Sequence, residues 1–144
     1  MTVFFDTSVL VAALVDAHPM HGAALPWLRR VHAGTLNGVV AAHGMAETFS
    51  VLSTLPHQPR ITAEIARQLI RASVATVFRV IPLAKRDYLR VIDTLARAGL
   101  SGGIVYDALA MQAASKAKAD RVVTLNGRDF SRLADLFHVE VTPP

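Results

Sequence analysis

Apolar positions along this chain follow two alternating periods. Short apolar-rich runs at Val3–Phe5, Leu36–Ala41, Arg79–Leu83, Arg121–Leu125 and Val139–Thr142 have the length of buried strands. Longer stretches between them predict helices over Thr7–Val15, His18–His32, His43–Leu55, Thr62–Val77, Ala84–Ala98 and Tyr106–Ala119. In the fourth of these, Ile65, Leu69, Ile70 and Val74 fall at helical spacing. The punctuation agrees: Gly34 and Gly99 follow two helices, and Pro56 and Pro59 stop the third. Leu100–Val105 reads as a loop around Gly102 and Gly103, and Asp129–Leu133 as a single helical turn. Strands alternating with helices require crossover connections. The expected fold class is therefore α/β, a central, mostly parallel sheet flanked by helices. No repeat, low-complexity tract or linker divides residues 1–144, which are expected to form one domain.

Composition narrows the class. A hydrophobic fraction of 52% argues against disorder and for a real core. Cysteine is absent, which excludes disulfides, thiolate zinc sites and a cysteine nucleophile. The longest strongly apolar run, Val9–Val15, is too short to span a bilayer, and the start lacks a positive leader, so a soluble, cytoplasmic chain is expected. The 15 Lys and Arg outnumber 11 Asp and Glu, giving a net charge of +4. A basic surface around an acidic pocket suits a polyanionic substrate.

Four acids stand where separate segments would each deliver one. Asp6 ends the first apolar run, Glu47 lies inside the third predicted helix, Asp107 leads the helix Tyr106–Ala119, and Asp129 follows Arg121–Leu125. In an open parallel sheet the carboxyl ends of the strands share one crevice. Acids gathered there repel one another unless a cation sits among them, and all-oxygen ligation suits Mg²⁺ or Mn²⁺. Each acid has a plainer reading. Asp6 and Asp129 could be helix N-caps, Glu47 a solvated face, and Asp107 a complement to the helix dipole. The histidines at 18, 21, 32, 43, 57 and 138 form no His-Glu-x-x-His pattern, and no Gly-x-Ser-x-Gly elbow, Walker lysine or dinucleotide fingerprint is present.

The ordered set is Asp6-Thr7-Ser8, Glu47-Thr48-Phe49-Ser50-Val51-Leu52, Tyr106-Asp107-Ala108-Leu109 and Thr124-Leu125-Asn126-Gly127-Arg128-Asp129-Phe130. It resembles the PIN-domain nucleases, and within them the VapC toxins of prokaryotic toxin–antitoxin pairs, over nearly the whole chain. The resemblance implies a PIN fold and an Mg²⁺- or Mn²⁺-dependent endoribonuclease that leaves 3′-hydroxyl and 5′-phosphate ends. It carries Asp6, Glu47 and Asp107 over as the core acids, and the family's less regular fourth acid maps best to Asp129. Asp6 and Asp107 would bind metal directly, Glu47 directly or through water, and Asp129 would complete the site. Thr7 and Asn126 are auxiliary candidates, since a family member can carry an acid at the Asn126 position. The resemblance further implies an RNA substrate, a VapB-type antitoxin partner and a homodimer. Basic side chains such as Arg60, Arg86, Lys116 or Arg128 would hold the RNA backbone at the rim.

Three rivals are weaker. A haloacid-dehalogenase-like phosphatase wants a second Asp two residues after the first, where this chain has Ser8. A receiver domain needs an acceptor Asp after a central strand, but the second and third strands lead into Ala42-His43 and Ala84-Lys85. A binding module with a spent site would not need acids at all four places. For assembly, Val9, Val11, Ala12 and Leu14, with Trp27, Leu28 and Val31, are expected to contribute an apolar patch for a two-fold contact.

Overall fold

A computed structural model describes residues 1–56 and 58–144, so His57 lies outside the described residues. Five strands, β1 (Thr2–Phe5), β2 (Asn37–Ala41), β3 (Arg79–Ile81), β4 (Arg121–Val123) and β5 (Glu140–Thr142), form one sheet in the order β3-β2-β1-β4-β5. Every neighbouring pair is parallel, with Phe4 opposite Val39 on one side and Val122 on the other.

The pleat sorts the core. Successive strand residues face opposite sides, so Val3 and Phe5 join one cluster while Phe4 joins another. Helices α1 (Thr7–Leu14) and α2 (His21–His32) cover the Val3–Phe5 side, where Phe5 meets Phe78 edge-to-face at 4.9 Å. Helices α5 (Lys85–Arg97), α6 (Ile104–Lys116) and α7 (Gly127–Phe137) supply the cluster on the Phe4 side. Helices α3 (Ala42–Thr54) and α4 (Ala63–Ile70) pack beside α1 around Leu52 and Ala66. Each fully buried Val or Phe contributes about 2 kcal/mol by leaving water. At Gly38 in β2 a Cβ would stand 2.6 Å from the Phe78 ring, so only glycine allows this close approach.

The structure redraws three expectations. Residues 62–77 are one helix by periodicity, but α4 gives way to a π-helical turn at Arg71–Ala75. The loop predicted over Leu100–Val105 ends early, because α6 begins at Ile104. The single turn predicted at Asp129–Leu133 is an 11-residue helix, α7, because Phe130, Leu133 and Phe137 recur at core spacing and are buried. The expected surface patch is also corrected. Val9, Val11, Ala12, Leu28 and Val31 are all buried, and Leu14 and Trp27 pack against the core. These residues cover the sheet rather than face solvent. No helix among the described residues is long and apolar enough to cross a membrane.

Candidate active site

The sheet order reverses direction between β1 and β4: β1 connects outward to β2, while β4 leads the other way to β5. Ligands in open α/β sheets bind outside the carboxyl ends of the strands at such a switch point. Asp6 leaves β1 there, and its backbone N–H donates to Val123 C=O at 3.1 Å. Thr124, Leu125 and Asn126 leave β4 beside it.

Asp6 occupies the N-cap position of α1 but makes no side-chain cap bond. Its Oδ2 instead accepts hydrogen bonds from Ser8 Oγ at 2.6 Å and Thr124 Oγ1 at 2.8 Å. Both lengths lie in the normal range for a hydroxyl donating to an oxygen. The capping reading of Asp6 therefore fails.

Asp107 lies in the first turn of α6, whose following residues Ala108 to Ala114 are buried. The helix is anchored in the core, which fixes the half-buried acid at the crevice mouth. Burial first, and then the charges of Asp6, Asp129 and Glu47, together raise the Asp107 carboxyl from 3.8 to about 6. All four predicted acids therefore act on one point. Asn126 stands between two of them, with Nδ2 donating to Asp129 Oδ2 at 3.2 Å and Asp107 Oδ2 at 3.4 Å. Asp129, in the first turn of α7, also faces Arg132 at 3.9 Å.

Glu47 projects from α3. Thr7 Oγ1 donates to its Oε2 at 3.0 Å, and His43 Nε2, one turn earlier, lies 3.9 Å from Oε1. A small hollow of about 10 Å³, room for about one water-sized particle, is lined by Asp6, Thr7, His43, Gly44 and Glu47 among others. A larger hollow of about 480 Å³ lies away from these acids, among Thr2, Asn37, Arg79 and Lys118.

The donors suit a hard divalent cation, since every candidate ligand is a carboxylate and their mutual repulsion is what such an ion relieves. Among the described residues, no three His, Asp or Glu side chains are drawn together closely enough to hold an ion as they stand.

Of the expected rim cations, Lys116 is corrected. It closes α6 at the end opposite Asp107, about 13 Å along the axis, and its Nζ is spent on Asp87 Oδ2 at 2.8 Å and Pro82 C=O at 3.0 Å. Arg128 is exposed in the first turn of α7, between Asn126 and Asp129 in sequence. Sequence reasoning missed the hydroxyls Ser8 and Thr124. The only signal was their placement next to strand ends.

A PIN-domain family model matches residues 3–136. Ribonuclease VapC27 of Mycobacterium tuberculosis is 33% identical over 115 residues, covering 80% of this chain and 78% of that protein. Ribonuclease VapC40 of the same species is 39% identical over 105 residues, covering 72% of each. Among solved structures, M. tuberculosis VapC20, described as a Sarcin-Ricin loop cleaving toxin, superposes with a TM-score of 0.67 at 21% identity, covering 90% of this chain and 94% of that one. VapBC2 from Rickettsia felis, bound to a promoter DNA fragment, gives a TM-score of 0.68 at 18% identity, covering 100% and 99%. With a parallel sheet whose switch point gathers Asp6, Asp107 and Asp129 and with relatives of this similarity, the chain belongs to the PIN-domain family and groups with its VapC ribonucleases.

Proposed function

We infer that this chain is a metal-dependent endoribonuclease, the toxin of a type II toxin–antitoxin pair, hydrolysing RNA phosphodiester bonds at the crevice beside β1 and β4. The observation that carries the reading is the convergence of Asp6, Glu47 and Asp129 on the half-buried Asp107, whose carboxyl is raised above its ordinary range by burial first and by their charges next. A divalent cation among these carboxylates would relieve their mutual repulsion. Asp6 and Asp107, with Glu47 and Asp129 completing the set, would hold Mg²⁺ or Mn²⁺, which would supply charge neutralisation at the scissile phosphate and a water of lowered pKa. Glu47, half-exposed with Thr7 at 3.0 Å and His43 at 3.9 Å, would serve as the general base. Arg128, exposed in the first turn of α7, would steady an RNA phosphate.

An acidic crevice is also a target for a basic side chain. A VapB-type antitoxin that sets one there would displace the ion and silence the enzyme. The reading includes a homodimer and a cytoplasmic location in a prokaryote.

Labelled RNA incubated with the purified chain is cleaved with Mg²⁺ or Mn²⁺ and left intact in excess EDTA. Asp6→Asn and Asp107→Asn abolish cleavage while circular dichroism stays unchanged. Full activity in chelator, or undiminished cleavage by both variants, overturns the assignment.

A further inference from the structure

Two hydroxyl side chains outside the acid set converge on a single oxygen of Asp6. Ser8 Oγ and Thr124 Oγ1 both donate to Oδ2, at 2.6 Å and 2.8 Å. Each hydroxyl has one proton, and that proton is committed to the carboxylate. Its orientation is enforced from behind by a backbone amide. Leu125 N–H donates to Ser8 Oγ at 3.0 Å, and Asn126 N–H donates to Thr124 Oγ1 at 2.9 Å. With their lone pairs engaged by N–H groups, neither hydroxyl gains by turning away. Thr124 is buried at 1% exposure and its own N–H donates to Thr142 C=O at 3.1 Å, so its Oγ1 is held by the sheet itself. No hydrogen bond from the described residues reaches Asp6 Oδ1.

We propose that Ser8 and Thr124 are positioning residues that clamp Asp6 by its Oδ2 and leave Oδ1 as the oxygen offered to the divalent cation. The clamp also ties the β1–α1 junction, which carries Asp6, to the β4–α7 junction, which carries Asn126 and leads to Asp129. One carboxylate rotamer and the spacing of two ligand-bearing segments thus depend on the same pair of hydroxyls. Partners behind a metal ligand commonly set affinity in this way, because a carboxylate free to rotate must be ordered again when the ion binds. The proposal rests on the metal-site reading of the crevice.

The test is Mn²⁺ binding to the metal-free purified chain, read from the electron paramagnetic resonance of free Mn²⁺, with melting temperatures in EDTA alongside. The variants are Thr124→Val, which keeps the shape and loses the hydroxyl, Thr124→Ser, which keeps the hydroxyl, Ser8→Ala, and Asp6→Asn as the ligand control. Thr124→Val and Ser8→Ala are expected to weaken Mn²⁺ affinity by about 10- to 100-fold, and Thr124→Ser to restore it. Wild-type affinity in both Thr124→Val and Ser8→Ala overturns the clamp while leaving the metal site standing. Loss in Thr124→Ser equal to that in Thr124→Val overturns it too, since the hydroxyl then does nothing. If Thr124→Val does not fold, Ser8→Ala decides alone. Absence of Mn²⁺ binding by the wild type, or binding unaltered by Asp6→Asn, overturns the metal-site reading and the clamp with it.

Discussion

Asp107 is where burial and like charge work together against ionisation. Its carboxyl titrates at about 6 in the fold against 3.8 ordinarily, with burial the leading cause and the Asp6, Asp129 and Glu47 charges behind it. An acid raised in this way still holds its proton in the fold at pH values where the unfolded chain has lost it. Its contribution to stability is complete below pH 3.8 and is lost as pH rises through about 6. In EDTA the melting temperature of the wild type therefore carries a fall across that window. Asp107→Asn removes this fall and melts higher than wild type at neutral pH. Melting curves at several pH values on both sides of 6 check this, and parallel curves for the two proteins would refute it. The acids themselves were legible from sequence because each stands at a strand exit or in a helix, positions that chain order reveals. Their supporting groups were not. Ser8 and Thr124 are 116 residues apart and meet only through strand pairing. The Asn126 amide bridge likewise depends on where α6 lies relative to β4, which no local pattern encodes.

At the scale of elements, α5 is clasped to α6 by a buried acid. Asp87 is only 6% exposed and accepts from Lys116 Nζ at 2.8 Å, Ala84 N–H at 2.7 Å and Gln112 Nε2 at 3.1 Å. Lys116 leads the causes that lower its carboxyl to about 2, with the Ala84 amide and Gln112 adding to it against burial. This contribution has the opposite sign from that of Asp107: it is present above pH 3.8 and is lost as pH falls through about 2. Removing one partner strands the other charge. Lys116→Met is expected to cost roughly 3 kcal/mol in urea unfolding, and adding Asp87→Asn to cost less than the sum of the single changes. Mn²⁺ affinity should not change, because the clasp lies at the other end of α6 from Asp107. A Lys116→Met variant as stable as wild type would show the pair to be idle. Periodicity located α5, whose buried Asp87, Val91 and Leu95 recur every four residues, whereas α6 buries an unbroken run from Ala108 to Ala114. It could not see the clasp, and it placed Lys116 at the RNA rim because a cation looks alike in sequence whether it binds phosphate or a buried acid. The short reading of α7 arose differently: Asn126-Gly127 signals a turn strongly, yet here it opens a helix.

For the whole molecule, the parallel sheet follows from alternation of elements, but neither its strand order nor the assembly face does. The apolar residues first assigned to it lie in the core, and hydrophobic content alone cannot separate core from interface. The structure exposes other apolar groups, with Tyr88, Leu89 and Ile92 at 41%, 51% and 53% on α5. They form one stripe at i, i+1 and i+4, and the adjoining stripe carries Arg86 and Asp93, seven residues apart and hence nearly in line along the helix. A two-fold contact puts the same patch on both copies. Two antiparallel α5 helices would cover the apolar stripe and bring Arg86 of each copy toward Asp93 of the other, so the face is self-complementary in charge as well as apolar. The homodimer is therefore expected to form through α5. Light scattering at micromolar concentration should give twice the 15.5 kDa of one chain, and Leu89→Glu combined with Ile92→Glu should return it to 15.5 kDa. Both side chains are more than half exposed, so the substitutions leave the core intact and the melting temperature of the separated chain close to that of wild type. A wild-type mass of 15.5 kDa would rule out a stable dimer. A double variant that stays dimeric would place the contact on another face.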